Sequence, residues 1–177
     1  MSIPADVRGA VRQRAQFACE FCGVTETDTG GELTIDHFQP HTKGGTDAPE
    51  NLLYCCHRCN QYKADYWPTQ SEDPPLWHPR HEPIERHLLL LADGMLYPIT
   101  EIGAFTLKRL RLNRPPLVAY RLRKQGEIAE HRLLTRYRDL VVVLDQLYQQ
   151  QVALLEEQQV LLEEQRRLVQ LLLQQQA

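Results

Sequence analysis

The chain has 177 residues, 42% apolar and 24% charged, with a net charge of −3 and mean hydropathy of −0.45. That is enough for one ordinary domain or two small ones, and too little for a large multidomain enzyme. No apolar run approaches the roughly 18 residues of a membrane span, and no apolar leader opens the chain, so a reducing, cytoplasmic setting is expected, where thiols stay free or bind metal.

The N-terminal zone, residues 1–67, contains all five cysteines and more acids than bases. Two Cys-x-x-Cys pairs stand out, Cys19-Glu-Phe-Cys22 and Cys56-His-Arg-Cys59. Two intervening residues let a tight knuckle present both sulfurs to one ion, and two knuckles complete the tetrahedral thiolate set of a structural zinc. Such a site would staple closed a module with little core of its own. The alternative is reduced core cysteines or a redox pair. Cys55 reads as a small buried residue ending the strand Leu52-Leu53-Tyr54.

Between the knuckles run Ile35-Asp36-His37-Phe38-Gln39-Pro40, then Lys43-Gly44-Gly45, then Glu50-Asn51-Leu52-Leu53; Asn60-Gln61-Tyr62-Lys63 follows the second pair. In this order and spacing the segment from about residue 8 to 67 resembles the HNH, or ββα-metal, endonucleases of the zinc-stapled type found in small bacterial proteins. The resemblance implies a ββα finger that hydrolyses DNA phosphodiesters with one divalent ion. It makes His37 the general base, Asp36 and Asn60 the ligands of Mg²⁺ or Mn²⁺, and Asn51 a brace on the loop carrying His37.

The chemistry suits those residue types. Hydrolysis needs a base for water and a cation for the charge on the phosphate, and imidazole exchanges a proton near neutral pH. Carboxylate and amide oxygens are hard donors. Many relatives have His where this chain has Asn60, and an oxygen donor there favours Mg²⁺ or Mn²⁺ over Zn²⁺ or Ni²⁺. Adjacent strand residues face opposite sides, so Asp36 and His37 diverge unless the strand is ending. His57 is an alternative ligand, on the same side as Asn60 if a helix has begun. His41 reads either as a phosphate or metal contact or as a loop histidine. Lys63 reads as a DNA-backbone contact or a solvated lysine.

Residues 68–75, rich in Pro and acid, read as a linker. From 76 to 114 the pattern is a small β-hairpin and helix: an apolar run, a turn at Asp93-Gly94, Met95-Leu96-Tyr97, then a helix capped by Thr100 and ended before Arg114-Pro115-Pro116. Residues 76 to about 123 also look like the C-terminal extension of many small HNH proteins. His78, His81 and His87 form no metal site by spacing.

Between Lys108 and Arg138 there are ten Lys or Arg against two acids, Glu127 and Glu130. Arg109, Arg111, Arg114, Arg121 and Arg123 are candidates for contacts to a duplex backbone, because guanidinium forks match phosphate oxygens; the bland alternative is surface charge on helices.

From Pro115 to the end, residues 115–177, the sequence reads as one long helix, with Gly126 its only later breaker; some 60 helical residues would span roughly 90 Å. Apolar pairs recur every seven residues: Leu133-Leu134, Leu140-Val141, Leu147-Tyr148, Leu154-Leu155, Leu161-Leu162 and Leu168-Val169. That repeat marks a supercoiled seam; at the complementary core positions Leu144 and Leu172 fit, but Gln151, Gln158 and Gln165 fall between them and weaken it. Self-association or a protein partner is expected there, with a helix folded back on its own domain as the alternative.

The fold class is therefore α+β: a ββα-metal finger with structural zinc, a hairpin-helix extension, and a long helix whose heptad repeat predicts a coiled coil. Two rival classes are a non-catalytic zinc finger that binds nucleic acid and recruits a partner, and a coiled-coil scaffold with a vestigial finger. The joint presence of Asp36, His37, Asn51 and Asn60 favours the enzyme, since a binding finger needs only its cysteines.

Overall fold

A computed structural model describes residues 3–175, with the side chains of 171–173 and 175 left out, so that of Leu172 falls outside the description. Residues 1–2 and 176–177, the outer ends of the first and last expected segments, also lie outside it. The chain divides into two compact units, residues 1–125 and 126–177.

In the first unit, helix α1 (Ala5–Arg14) and a single turn α2 (Glu26–Thr29) precede strand β1 (Thr34–His37). Strand β2 (Leu52–Cys55) pairs with it antiparallel, with Thr34 opposite Cys55 and His37 opposite Leu52, and helix α3 (His57–Lys63) follows directly. This is the ββα unit expected from the motif order. Every residue of β2 is buried: α1 packs on it, and Leu52 and Leu53 join one hydrophobic cluster with residues of the extension.

The extension contains a hairpin, β3 (Leu88–Leu90) and β4 (Leu96–Pro98), and helix α4 (Glu101–Arg109). Gly94 turns the hairpin at φ 79°, and Thr100 caps α4 by accepting a hydrogen bond from Gly103 N at 3.0 Å. Residues 68–75 carry no regular structure, and the residues on either side of them join one hydrophobic cluster. Phe21, Leu52 and Leu53 of the finger share it with Trp77, Leu110 and Leu112 of the extension. Phe21 and Trp77 meet edge to face with centroids 6.3 Å apart. The buried backbone N–H of Trp77 is satisfied by the Thr106 hydroxyl at 3.0 Å.

Two arginines hold the segment entering β2. Arg14 donates to the carbonyls of Pro49 and Leu52, and Arg80, from the extension, donates to those of Pro49, Glu50 and Leu52. Between them lies Glu20, which accepts from Tyr54 N at 2.7 Å; burial pushes its carboxyl above the ordinary range.

Helix α5 runs from Pro115 to Gln175. Its opening turns belong to the first unit, where Leu117 is buried. The second unit is helical throughout its described residues, and its apolar pairs from Leu133-Leu134 to Leu168-Val169 are all exposed. No helix among the described residues is long and apolar enough to cross a membrane.

Candidate metal and catalytic sites

The sulfurs of Cys19, Cys22, Cys56 and Cys59 all lie within 4.8 Å of one another, and those of Cys22 and Cys56 are 3.7 Å apart. Four thiolates about 2.3 Å from one tetrahedral zinc would sit about 3.8 Å apart, so the cluster can hold a metal such as zinc. The first knuckle is closed by Gly23 N donating to Cys19 O at 2.8 Å. The second is the start of α3, where the sulfur of Cys56 caps the helix by accepting from Cys59 N at 3.4 Å.

Hydrogen bonds from Cys22, Cys55, Cys56 and Cys59 hold the Cys19 thiol well below its ordinary value, which favours the thiolate a metal needs. Arg114 reaches the sulfurs of Cys59 and Cys56 at 3.7 and 3.8 Å. Burial works against its charge, but the cysteine sulfurs outweigh that and leave its pKa raised. Cys55 is fully buried beside the cluster, and burial pushes its thiol up.

The loop from β1 to β2 is built around Asn51. Its side-chain oxygen accepts from Gln39 N at 2.8 Å, and its nitrogen donates to Gln39 O at 3.0 Å and Thr46 O at 2.8 Å. Backbone passes so close at Gly45 that a Cβ there would lie 1.8 Å from Gln39 O, so no other residue fits. This folding brings Asp47 to the end of β1. One oxygen of Asp47, Oδ1, meets Nε2 of His37 at 2.7 Å and Nε2 of His41 at 2.9 Å. The two imidazoles lie 4.1 Å apart, centroid to centroid.

Asp36 points the other way from β1. Its Oδ2 is buried and forms an ion pair with Nζ of Lys63 at 3.1 Å. Burial raises the Asp36 carboxyl above the ordinary range, with the Lys63 charge opposing it. Lys63 is itself completely buried and donates to His37 O at 2.6 Å. It is tied into the finger and has no surface to offer a phosphate. Asn60, on α3, donates through Nδ2 to the Thr34 hydroxyl at 3.3 Å, which leaves its amide oxygen as a donor for a cation. His57, three residues earlier, is exposed.

The five arginines read as backbone contacts occupy different settings. Arg109 donates to Lys63 O at 2.9 Å and stacks 4.9 Å over Tyr66. Arg121 is spent on Gly94 O, Leu112 O and Asn113 Oδ1. Arg114 serves the cysteine sulfurs. Arg111 is exposed and lies 4.8 Å over Tyr62, and Arg123 pairs with Asp28 at 2.5 Å. Arg58, Arg114 and Arg123 line a groove of about 950 Å³ beside the second knuckle, together with Asp28 and Glu32; His37 does not line it.

The sequence pattern gave no reason to single out Asp47. Its one signal is its place two residues after Gly44-Gly45, in the loop that Asn51 braces. His78 and His81 stack with centroids 3.7 Å apart, and burial lowers the His78 pKa to about 4. His87 is bonded to Glu82 and Thr100 within the extension.

Comparison with known proteins agrees with the motif reading. Residues 19–76 match a family model described as HNH endonuclease, so the resemblance read from the residues holds over that segment. A CRISPR-associated endonuclease Cas9 from Corynebacterium diphtheriae is 41% identical over 54 residues. The match covers 30% of this chain and 5% of that protein, so the chain spans a small part of the relative's length. No solved structure matches.

Proposed function

We propose that the finger hydrolyses phosphodiester bonds of DNA, with His37 as general base and a Mg²⁺- or Mn²⁺-class ion held by Asp36 and Asn60. The observation that supports this best is the contact of His37 Nε2 with Asp47 Oδ1 at 2.7 Å. A carboxylate accepts only, so Nε2 carries the ring proton and Nδ1 keeps its lone pair for a water molecule. Asp47 thereby acts as a positioning residue, fixing both ring orientation and tautomer.

The donor set suits a hard cation: a carboxylate on β1 and an amide oxygen on the adjoining helix. Such an ion supplies positive charge to the phosphate and the departing oxygen. Asn51 and Gly45 hold the loop, and Lys63 holds the end of β1 through His37 O. Family precedent assigns 5′-phosphate and 3′-hydroxyl products. The four cysteines hold a structural zinc in this reading, and the helix of the second unit joins copies of the chain through its heptad seam.

A second reading, a finger that binds nucleic acid without cutting it, is favoured by the Asp36–Lys63 ion pair at 3.1 Å, because the ammonium already neutralises the carboxylate a cation would use. One experiment separates the two. Purified protein is incubated with supercoiled plasmid and Mg²⁺, Mn²⁺ or EDTA, beside His37→Ala, with zinc content measured for both. Metal-dependent nicking that is lost in the variant, with zinc retained, supports hydrolysis by His37. Retardation of DNA without cleavage by any metal supports the binding module.

A further inference from the structure

We infer that His37, His41 and Asp47 form a second transition-metal site, for Zn²⁺, distinct from the four cysteines and from Asp36 and Asn60. Three elements bring the ligands together: the end of β1, the 3₁₀ turn His41–Lys43, and the loop after Gly45. Their ligand atoms lie within 4.8 Å of one another, with both imidazole Nε2 atoms already aimed at one carboxylate oxygen. Donors on a tetrahedral zinc with bonds of about 2.0–2.1 Å sit about 3.3 Å apart. The observed 2.7 and 2.9 Å need only open by about half an ångström, and His41 and Asp47 are exposed enough to move.

Two imidazoles and a carboxylate suit a borderline ion such as Zn²⁺, whereas Mg²⁺ prefers oxygen donors and keeps its water. Three protein ligands also leave a coordination position open. The two metal classes are therefore sorted by donor type: oxygen donors at Asp36 on β1 and Asn60 on α3, nitrogen donors at His37 and His41.

Zinc at this site opposes hydrolysis, a consequence that rests on His37 being the base. A neutral imidazole has one N–H and one lone pair. Bonding of Nε2 to zinc releases the Nε2 proton contact with Asp47 and moves the ring's single proton to Nδ1. The nitrogen that would accept a proton from water then already has one.

The test uses the full chain without a polyhistidine tag. Equilibrium dialysis against micromolar Zn²⁺, followed by elemental analysis, should find two zinc ions per chain in wild type and one in His41→Ala and in Asp47→Ala. Circular dichroism checks that the variants keep their fold. A single zinc in wild type, or two retained by both variants, overturns the site; two retained by His41→Ala and lost in His81→Ala would place the second ion on the stacked pair instead.

A second arm reads the consequence. Zn²⁺ added to Mg²⁺-supported cleavage should inhibit wild type at a concentration at least tenfold lower than it inhibits His41→Ala. Equal inhibition overturns the link to catalysis while leaving the dialysis result intact. Absence of cleavage in any condition refutes the hydrolytic reading alone, because metal stoichiometry is measured without it.

Discussion

Leucine has opposite fates in the two units. Leu110 and Leu112 are 0% exposed in the first, whereas Leu147 and Leu154 in the second are 52% and 58% exposed. Helical periodicity says that a face is apolar; it does not say what covers it. In residues 1–125 the cover is chain returning from far away: Trp77 meets Phe21, and Thr106 bonds Trp77 N. In residues 126–177 the apolar pairs repeat every seven residues, and no described side chain of the unit covers them. The first unit carries its stability in contacts that one four-cysteine cluster and a few buried polar groups organise. The second leaves its apolar face exposed.

The largest expected effect tests the first half of that contrast. Chelation of zinc, or Cys59→Ser, removes a site whose metal contributes about 10–16 kcal/mol in zinc-finger peptides. That exceeds or matches the whole stability of an ordinary domain, about 5–15 kcal/mol. The near-ultraviolet signal of Trp67 and Trp77 should collapse while much of the far-ultraviolet helix signal of α5 persists. Retention of the tryptophan signal after metal removal would mean that the hydrophobic cluster stands without its staple.

Lys63→Met comes next. The variant leaves the buried Asp36 carboxyl unpaired and removes the donor to His37 O, so about 3–5 kcal/mol should be lost in chemical denaturation. A loss under about 1 kcal/mol would show that Asp36 is already protonated, the direction in which burial pushes it. Thr100→Ala is smaller, about 1 kcal/mol, because it removes the cap of α4. The same hydroxyl meets Nδ1 of His87 at 2.8 Å, so the thermal midpoint should fall by more than a cap alone requires.

The local architecture was legible wherever a short pattern sets a short structure. Cys-x-x-Cys spacing placed both knuckles, Asp93-Gly94 the hairpin turn, and Thr100 the start of α4. Partners far apart in sequence were not legible. Arg121 reads as a phosphate contact because sequence displays its charge; the carbonyls of Gly94 and Leu112 that take its donors belong to the backbone and leave no mark on residue type. Lys63 is hidden for the same reason, since its main partner is His37 O. Asp47 reaches His37 only because Asn51 and Gly45 fold the loop between them, a closure that no spacing rule expresses.

The smallest effect on the first unit should come from the second. Leu147→Glu combined with Leu154→Glu changes two exposed positions one heptad apart. Neither belongs to the hydrophobic cluster of residues 1–125, so the stability of that unit should change by no more than about 0.5 kcal/mol. The mass in sedimentation equilibrium should fall, from a multiple of the chain to a single chain, because a carboxylate at each Leu position puts like charges into the seam. A stability change of several kcal/mol would show that the heptad face is covered by its own chain. An unchanged multimer would place the association elsewhere. The variant thus reads the two units independently: the melt reports on the first, and the mass on whether the second associates.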